Sequence, residues 1–170
     1  MSNIIKIPSD FGCIALLNPN KYDIYKKEQI LIWDYLLDDF NESKIFVWGV
    51  PRGNWKVEVS FTSELPQGYR SIQGSIISDG NLVFMTHEEL SYAAMDVNSN
   101  ILNRLPGDWK LTTETGRFVC TVVQLYDPER REDESVWEEV PVHYHLSLVK
   151  SDALVPPATD FPWEEYILCF

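Results

Sequence analysis

The sequence predicts a mainly β, sandwich-like single domain with one helix. Short apolar runs recur between Gly, Pro, Asn and Asp turn signals, which is typical of β-rich folds. The chain has 170 residues, with 45% hydrophobic and 13% aromatic content, enough for one substantial core. The clearest strand has apolar and polar side chains in strict alternation, as Trp55, Val57, Val59 and Phe61 against Lys56, Glu58 and Ser60.

One turn pattern occurs twice and organises this prediction. Pro, Gly and then Asn or Asp precede a tryptophan at Trp55 and again at Trp109. We expect Gly53 and Gly107 to adopt backbone conformations closed to other residues. The repetition predicts two diverged β halves, about 1–64 and 65–150, within one domain over 1–170, with the C-terminal tail docked on the body. Chance recurrence of a common turn is the alternative.

The remaining elements follow from periodicity. We predict strands at 4–7, 13–17, 69–77, 82–86, 109–112, 118–126 and 140–149, a hairpin formed by 45–50 and 55–61, and helical turns at 88–95. Segment 26–40 is the helix candidate, since Ile30, Trp33, Leu37 and Phe40 share a helical face. The apolar run 30–33 also fits a buried strand, so both interpretations stay open.

Charge and composition restrict the function classes. A formal charge of -12 and a pI near 4.6 argue against binding to nucleic acid or an anionic membrane, because both need a basic surface. They favour a basic protein partner instead. Neither a secretory signal nor a run of about 20 apolar residues is present. Three widely spaced cysteines indicate no disulfide framework or zinc module, so we expect a cytoplasmic protein without a cofactor.

The most acidic segment, 127–139, carries seven carboxylates against two arginines and lies between two predicted strands. We predict that it is the long tip of a hairpin and a partner-binding surface, because an aromatic side chain among charges is typical of protein interfaces. Its alternatives are a solvated charge run and a tryptophan folded over the sheet edge. The exit of the predicted helix is a second acidic surface. The predicted binding residues are Glu132, Asp133, Glu134, Trp137, Glu138, Glu139, Asp38 and Asp39.

An enzyme is the weaker class. The sequence has no Gly-rich phosphate loop, G-x-S-x-G, H-E-x-x-H or paired CxxC motif. His143 and His145 alternate on a strand and, with His87, could bind a metal in a small β-barrel enzyme, which is the alternative function. Because the residues between and after them form the apolar face, we expect both histidines to point to solvent.

The stretch from Leu105 to Leu111, a turn followed by Trp109 and a strand, resembles small acidic β-rich bacterial proteins. Among these are the competence-nuclease inhibitor family and immunity proteins of polymorphic toxin systems. The resemblance covers the second half of the chain, and segment 26–40 departs from its simplest form. It implies a cytoplasmic protein that binds and neutralises a toxin or nuclease.

Overall fold

The computed structural model describes residues 3–10, 12–24, 33–96, 98, 100–130, 133 and 135–166, and all their side chains except those of Trp33, Asp34, Trp137 and Tyr166. The strands are β1 (Asn3–Ser9), β2 (Gly12–Leu17), β3 (Ile45–Val50), β4 (Gly53–Ser60), β5 (Arg70–Thr86), β6 (Lys110–Gln124) and β7 (Tyr144–Lys150). The helices are α1 (Trp33–Asn41), α2 (His87–Met95), α3 (Ile101–Arg104) and α4 (Val136–Glu139). In this part of the chain no helix combines the length and apolar character needed to span a membrane.

The seven strands form one sheet in the order β1-β4-β7-β6-β5-β2-β3, curled into a half-barrel. The mainly β prediction is therefore confirmed, whereas the two-sheet sandwich is not. The reason lies in the long strands β5 and β6, which pair on both sides of a register shift between Asp79 and Asn81. Gly80, with φ of +115°, lies at this irregularity. A bulge bends a strand, so β5 and β6 stay paired on both sides of the bend and belong to one curled sheet.

The predicted hairpin of 45–50 and 55–61 is wrong. β3 pairs with β2, whereas β4 pairs with β1 in antiparallel and with β7 in parallel orientation. The links from Ser9 to Gly12 and from Val50 to Gly53 run between opposite ends of the curled sheet. A turn signal marks where the chain reverses, but closure of the sheet decides which strand lies beside it.

The glycines of the repeated turn are also not strained. Positive φ angles occur at Gly12, Gly80 and Gly116, and neither Gly53 nor Gly107 is among them. Gly107 begins a 3-10 turn, and a Cβ there would meet nothing within 4 Å. The two turns share a buried tryptophan after the turn, whose indole N–H bonds a backbone carbonyl. Trp55 Nε1 donates to Pro51 O at 2.9 Å, and Trp109 Nε1 donates to Lys6 O at 3.0 Å.

The helical interpretation of 26–40 holds from residue 33, and residues 26–32 lie outside the described part. Phe40, at the end of α1, stacks on Phe46 with ring centroids 5.6 Å apart. Gly74 leaves the space for this pair, because a Cβ there would lie 2.6 Å from Phe40. The helix therefore packs into the curl of the sheet.

An aromatic cluster forms the core near the β4–β7 pair. Trp55 stacks on Tyr126 at 5.3 Å, and Tyr144 meets both rings edge-on at 5.6 Å. The hydroxyls of Tyr126 and Tyr144 share a 2.8 Å hydrogen bond, so this buried pair is satisfied internally. His143 meets Trp55 edge-on at 5.3 Å and links the cluster to α4 through its hydrogen bond to Val136.

Candidate partner-binding surface

The acidic connection, residues 127–139, links β6 to β7. Gln124 and Tyr144 are partners in the antiparallel register of these strands, so the predicted long hairpin tip is confirmed. The connection contains a 3-10 turn, Pro128–Arg130, and the short helix α4. Its described residues form a folded element, because their polar groups bond to each other.

Arg130 is the centre of this internal bonding. Its Nη2 atom donates to Asp133 Oδ2 at 2.7 Å, to Glu139 Oε2 at 3.0 Å and to Ser135 Oγ at 3.0 Å. Hydrogen bonds from Ser135, together with the Arg130 guanidinium, lower the pKa of Asp133 to about 2. Asp133 is thus charged throughout the ordinary pH range. The bonds of Arg130 fix the geometry of the acidic connection, while its outer carboxylates stay exposed.

His143 attaches the acidic connection to the sheet. Its Nδ1 accepts from Lys56 N–H at 2.9 Å and its Nε2 donates to Val136 O at 3.1 Å. The prediction that this histidine points to solvent is wrong, since the side chain is fully buried under α4. Val136, the first residue of α4, is buried beside it. Burial lowers the pKa of His143, and the nearby Lys56 charge acts in the same direction.

His145 is buried too, again contrary to prediction. Its Nδ1 lies 3.0 Å from Glu58 Oε2 and its Nε2 3.0 Å from Ser60 Oγ. With both ring nitrogens of each histidine engaged in hydrogen bonds, neither offers a free ligand. His87 begins α2, and the described residues contain no group of three His, Cys, Asp or Glu side chains that could hold a metal. The three histidines therefore do not assemble the alternative metal site.

The other predicted binding residues fall into three groups. Asp133, Glu138 and Glu139 are exposed on the acidic connection, and Asp38 is exposed on α1. Asp39 is buried, bonds Lys44 at 3.4 Å and accepts a hydrogen bond from Tyr22, so its carboxylate takes part in contacts within the chain. Outside the description lie Glu132, Glu134 and the side chain of Trp137.

Sequence reasoning missed a crossing segment, residues 61–69, that runs from β4 to β5 over the outer face of β7 and β6. Ser147 Oγ donates to Thr62 O, and Tyr69 N–H donates to Gln124 O at 2.9 Å. Gly68 permits this contact, since a Cβ would lie 2.4 Å from Val123 Cγ1. The segment therefore lies over Ser147 and Val123, the neighbours of His145 on this face of the sheet. Its exposed apolar side chains are Phe61, Leu65 and Tyr69.

Comparison with solved structures decides the fold. ComJ from Bacillus subtilis, an inhibitor of the DNA-degrading activity of NucA, superposes with a TM-score of 0.56 at 6% identity, over 89% of this chain and 98% of ComJ. The chain has a competence-nuclease inhibitor-like fold. A structure described as crocagin biosynthetic gene J matches with a TM-score of 0.62 at 16% identity, over 89% of this chain and 97% of that one. Neither a protein-family model nor a curated protein sequence matches the chain.

Proposed function

We propose that this protein is an acidic, cytoplasmic inhibitor that binds a basic nuclease or toxin and occludes its substrate cleft, with no catalytic role of its own. The observation that carries the proposal is the likeness to ComJ over nearly the whole length of both chains. ComJ inhibits the DNA-degrading activity of a nuclease. The resemblance suggested by the Leu105–Leu111 stretch leads to the same class of function.

The charge of the chain supports a nuclease as the partner. An enzyme that binds DNA presents lysine and arginine side chains to the phosphates. A net charge of -12 attracts such a cleft over a distance and favours the correct approach. The expected mode of inhibition is therefore steric and electrostatic: carboxylates of this chain take the positions that substrate phosphates would occupy.

The acidic connection is the proposed contact surface. The bonds of Arg130 hold Asp133 and Glu139 in a defined arrangement, and the His143–Val136 bond holds α4, which carries Glu138. A fixed arrangement loses less side-chain freedom on binding than a flexible charge run. Its sequence neighbours Glu132, Glu134 and Trp137 complete the surface, and exposed Asp38 is a second contact.

Capture followed by a DNA-cleavage assay tests the proposal. The full chain, the Glu138→Lys variant and the Glu64→Lys variant are used as bait in extracts of the source cells. Glu64 is the matched control, because it is also exposed but lies on the crossing segment. We expect wild type and Glu64→Lys to retain a basic nuclease whose cleavage of DNA stops at one equivalent of inhibitor, and Glu138→Lys to retain much less. An acidic partner, or a captured protein whose DNA cleavage is unaffected, would refute the function.

A further inference from the structure

The tail segment, residues 158–166, lies along the edge strand β3. Gly49 N–H donates to Pro162 O at 2.8 Å, and Asn41 and Ala158 exchange two hydrogen bonds of 2.8 and 3.0 Å. An edge strand presents backbone groups that can pair with an extended peptide. Here the chain's own tail takes that place, so β3 already binds one peptide segment.

The surface of β3 is shaped for this close approach. A Cβ on Gly49 would lie 2.2 Å from the carbonyl oxygen of Trp163 and 3.3 Å from that of Pro162. Real side-chain carbons do not come so near to backbone oxygen. Glycine at this position therefore admits a peptide backbone against the strand, as expected where two backbones meet closely.

Two side chains of the tail are recognised specifically. The Trp163 ring stacks on Tyr144, with centroids 6.1 Å apart, and the Arg70 guanidinium carbon lies 4.5 Å from the Trp163 ring centre. Arg70 also forms an ion pair with Glu165 and donates from Nε to Gln124 at 2.6 Å. The site therefore binds an aromatic ring and a carboxylate two residues later in the chain.

Two further features indicate that the tail is an imperfect occupant. Trp163 has φ of +57°, in the left-handed region that bulky residues rarely adopt. Strained conformations of this kind concentrate at ligand clamps and switch segments. The indole N–H of Trp48, which is fully buried beside Tyr144, has no acceptor among the described residues. A segment that binds without a left-handed residue at this position avoids the strain of Trp163.

We propose that the end of the half-barrel around Gly49, Trp48, Arg70 and Tyr144 is a binding site for an extended peptide bearing an aromatic side chain followed two residues later by a carboxylate. The chain's own tail occupies the site until such a segment displaces it. The residues that form the site include none of the acidic connection, 127–139, and the site does not depend on the identity of the nuclease partner. Its failure and the failure of the inhibitor function are therefore separable.

The probe is a labelled synthetic peptide with the sequence of residues 158–166, Ala-Thr-Asp-Phe-Pro-Trp-Glu-Glu-Tyr. It is titrated against the full chain carrying Trp163→Gly, which loosens the resident tail, and against wild type. The tethered tail of wild type competes with the free peptide at high effective concentration. We therefore expect wild type to bind the peptide at least about tenfold more weakly than the Trp163→Gly chain does. Peptides with Ala for Trp, or with Gln at the position of Glu165, should lose binding.

Arg70→Gln, introduced into the Trp163→Gly chain, should abolish peptide binding, whereas Arg104→Gln, at an exposed arginine on α3, should leave it unchanged. Circular dichroism checks that each variant is folded. If Trp163→Gly is unfolded at the assay temperature, Glu165→Gln, which removes the ion pair with Arg70, replaces it and should bind the peptide more tightly than wild type. No binding to the loosened chain, or binding indifferent to the Trp and Glu positions, overturns the proposal.

Discussion

The imidazole of His143 accepts, at Nδ1, a hydrogen bond of 2.9 Å from the backbone N–H of Lys56. An acceptor Nδ1 fixes the neutral tautomer with the proton on Nε2, which donates to Val136 O at 3.1 Å. One ring thus joins β4, β7 and α4. Protonation of Nδ1 would break the bond to Lys56, so the attachment of the acidic connection depends on a neutral histidine.

This arrangement predicts a loss of stability in mild acid. Burial lowers the pKa of His143, so the unfolded chain binds its proton at a higher pH than the folded chain. Stability is then complete above the ordinary histidine pKa of about 6.5 and decreases as pH falls below it. We expect the melting temperature to fall between about pH 6.5 and 5, and His143→Gln to flatten that slope.

His87→Gln is the comparison for the pH series. Burial lowers the pKa of His87 as well, and His87 lies on a different element. The two variants should therefore flatten the curve independently, and their double variant should show the sum of both effects. A His143→Gln slope equal to that of wild type would contradict the buried neutral histidine.

Two glycines should respond in opposite ways to alanine. In Gly49→Ala the new Cβ meets the Trp163 carbonyl at 2.2 Å, whereas in Gly107→Ala it meets open space. We expect Gly49→Ala to destabilise the chain by about 1 kcal/mol or more, and Gly107→Ala to be neutral or stabilising by about 0.5 kcal/mol. Urea unfolding measures both. Equal stability of the two variants would show that the tail does not press on β3.

The two described cysteines should be unreactive in the native protein. Cys13 and Cys120 are fully buried, and burial raises the pKa of both thiols, with Glu88 and Glu89 adding to the effect at Cys13. Thiolates are the reactive form. In a Cys169→Ser variant, we expect a thiol reagent to label no cysteine under native conditions and both after unfolding in denaturant. Rapid native labelling would mean that the half-barrel opens readily.

The acidic connection should act mainly on the rate of association with the captured nuclease. Charge reversal at Glu138 and at Glu64 changes the net charge equally, so a difference between the variants reports position. We expect Glu138→Lys to slow association more than Glu64→Lys does, and the difference to shrink as salt screens the charges. Stopped-flow measurements over a salt series provide both rates. Identical kinetics would remove the acidic connection from the interface.

Residue periodicity predicted the strand faces because alternation reports which side chains enter the core. Trp55, Val57 and Val59 are buried as expected. Phe61, the next residue in that alternation, is 54% exposed, because β4 ends at Ser60 and the crossing segment begins. Alternation predicts which side chains of a strand are buried, but no residue near Ser60 indicated that the strand ends there.

The buried histidines show a second limit of sequence reasoning. Alternation assigned His145 correctly to the face opposite Tyr144, but the crossing segment lies over that face. His143 precedes β7, and its ring lies against Trp55 and Val136. Such covering depends on long-range contacts. The sandwich failed for a related reason, since the strand β5 reads as two segments in sequence and yet pairs with β6 on both sides of Gly80.

The acidic connection, in contrast, could be located from composition and its flanking strands. Its internal order could not, because the Arg130 bonds reach Asp133, Ser135 and Glu139 only once the chain turns at 128–130 and 136–139. Composition indicates where charge accumulates, and hydrogen bonding decides whether that charge is held in place.

Competition with DNA tests the central claim most directly. If the chain occludes the substrate cleft of its nuclease, DNA and inhibitor exclude each other. The concentration of inhibitor that halves DNA cleavage should then rise in proportion to the concentration of a non-cleavable DNA duplex added as competitor. An inhibitory concentration that does not change with competing DNA, or a nuclease that still cleaves at saturating inhibitor, would contradict occlusion of the active site.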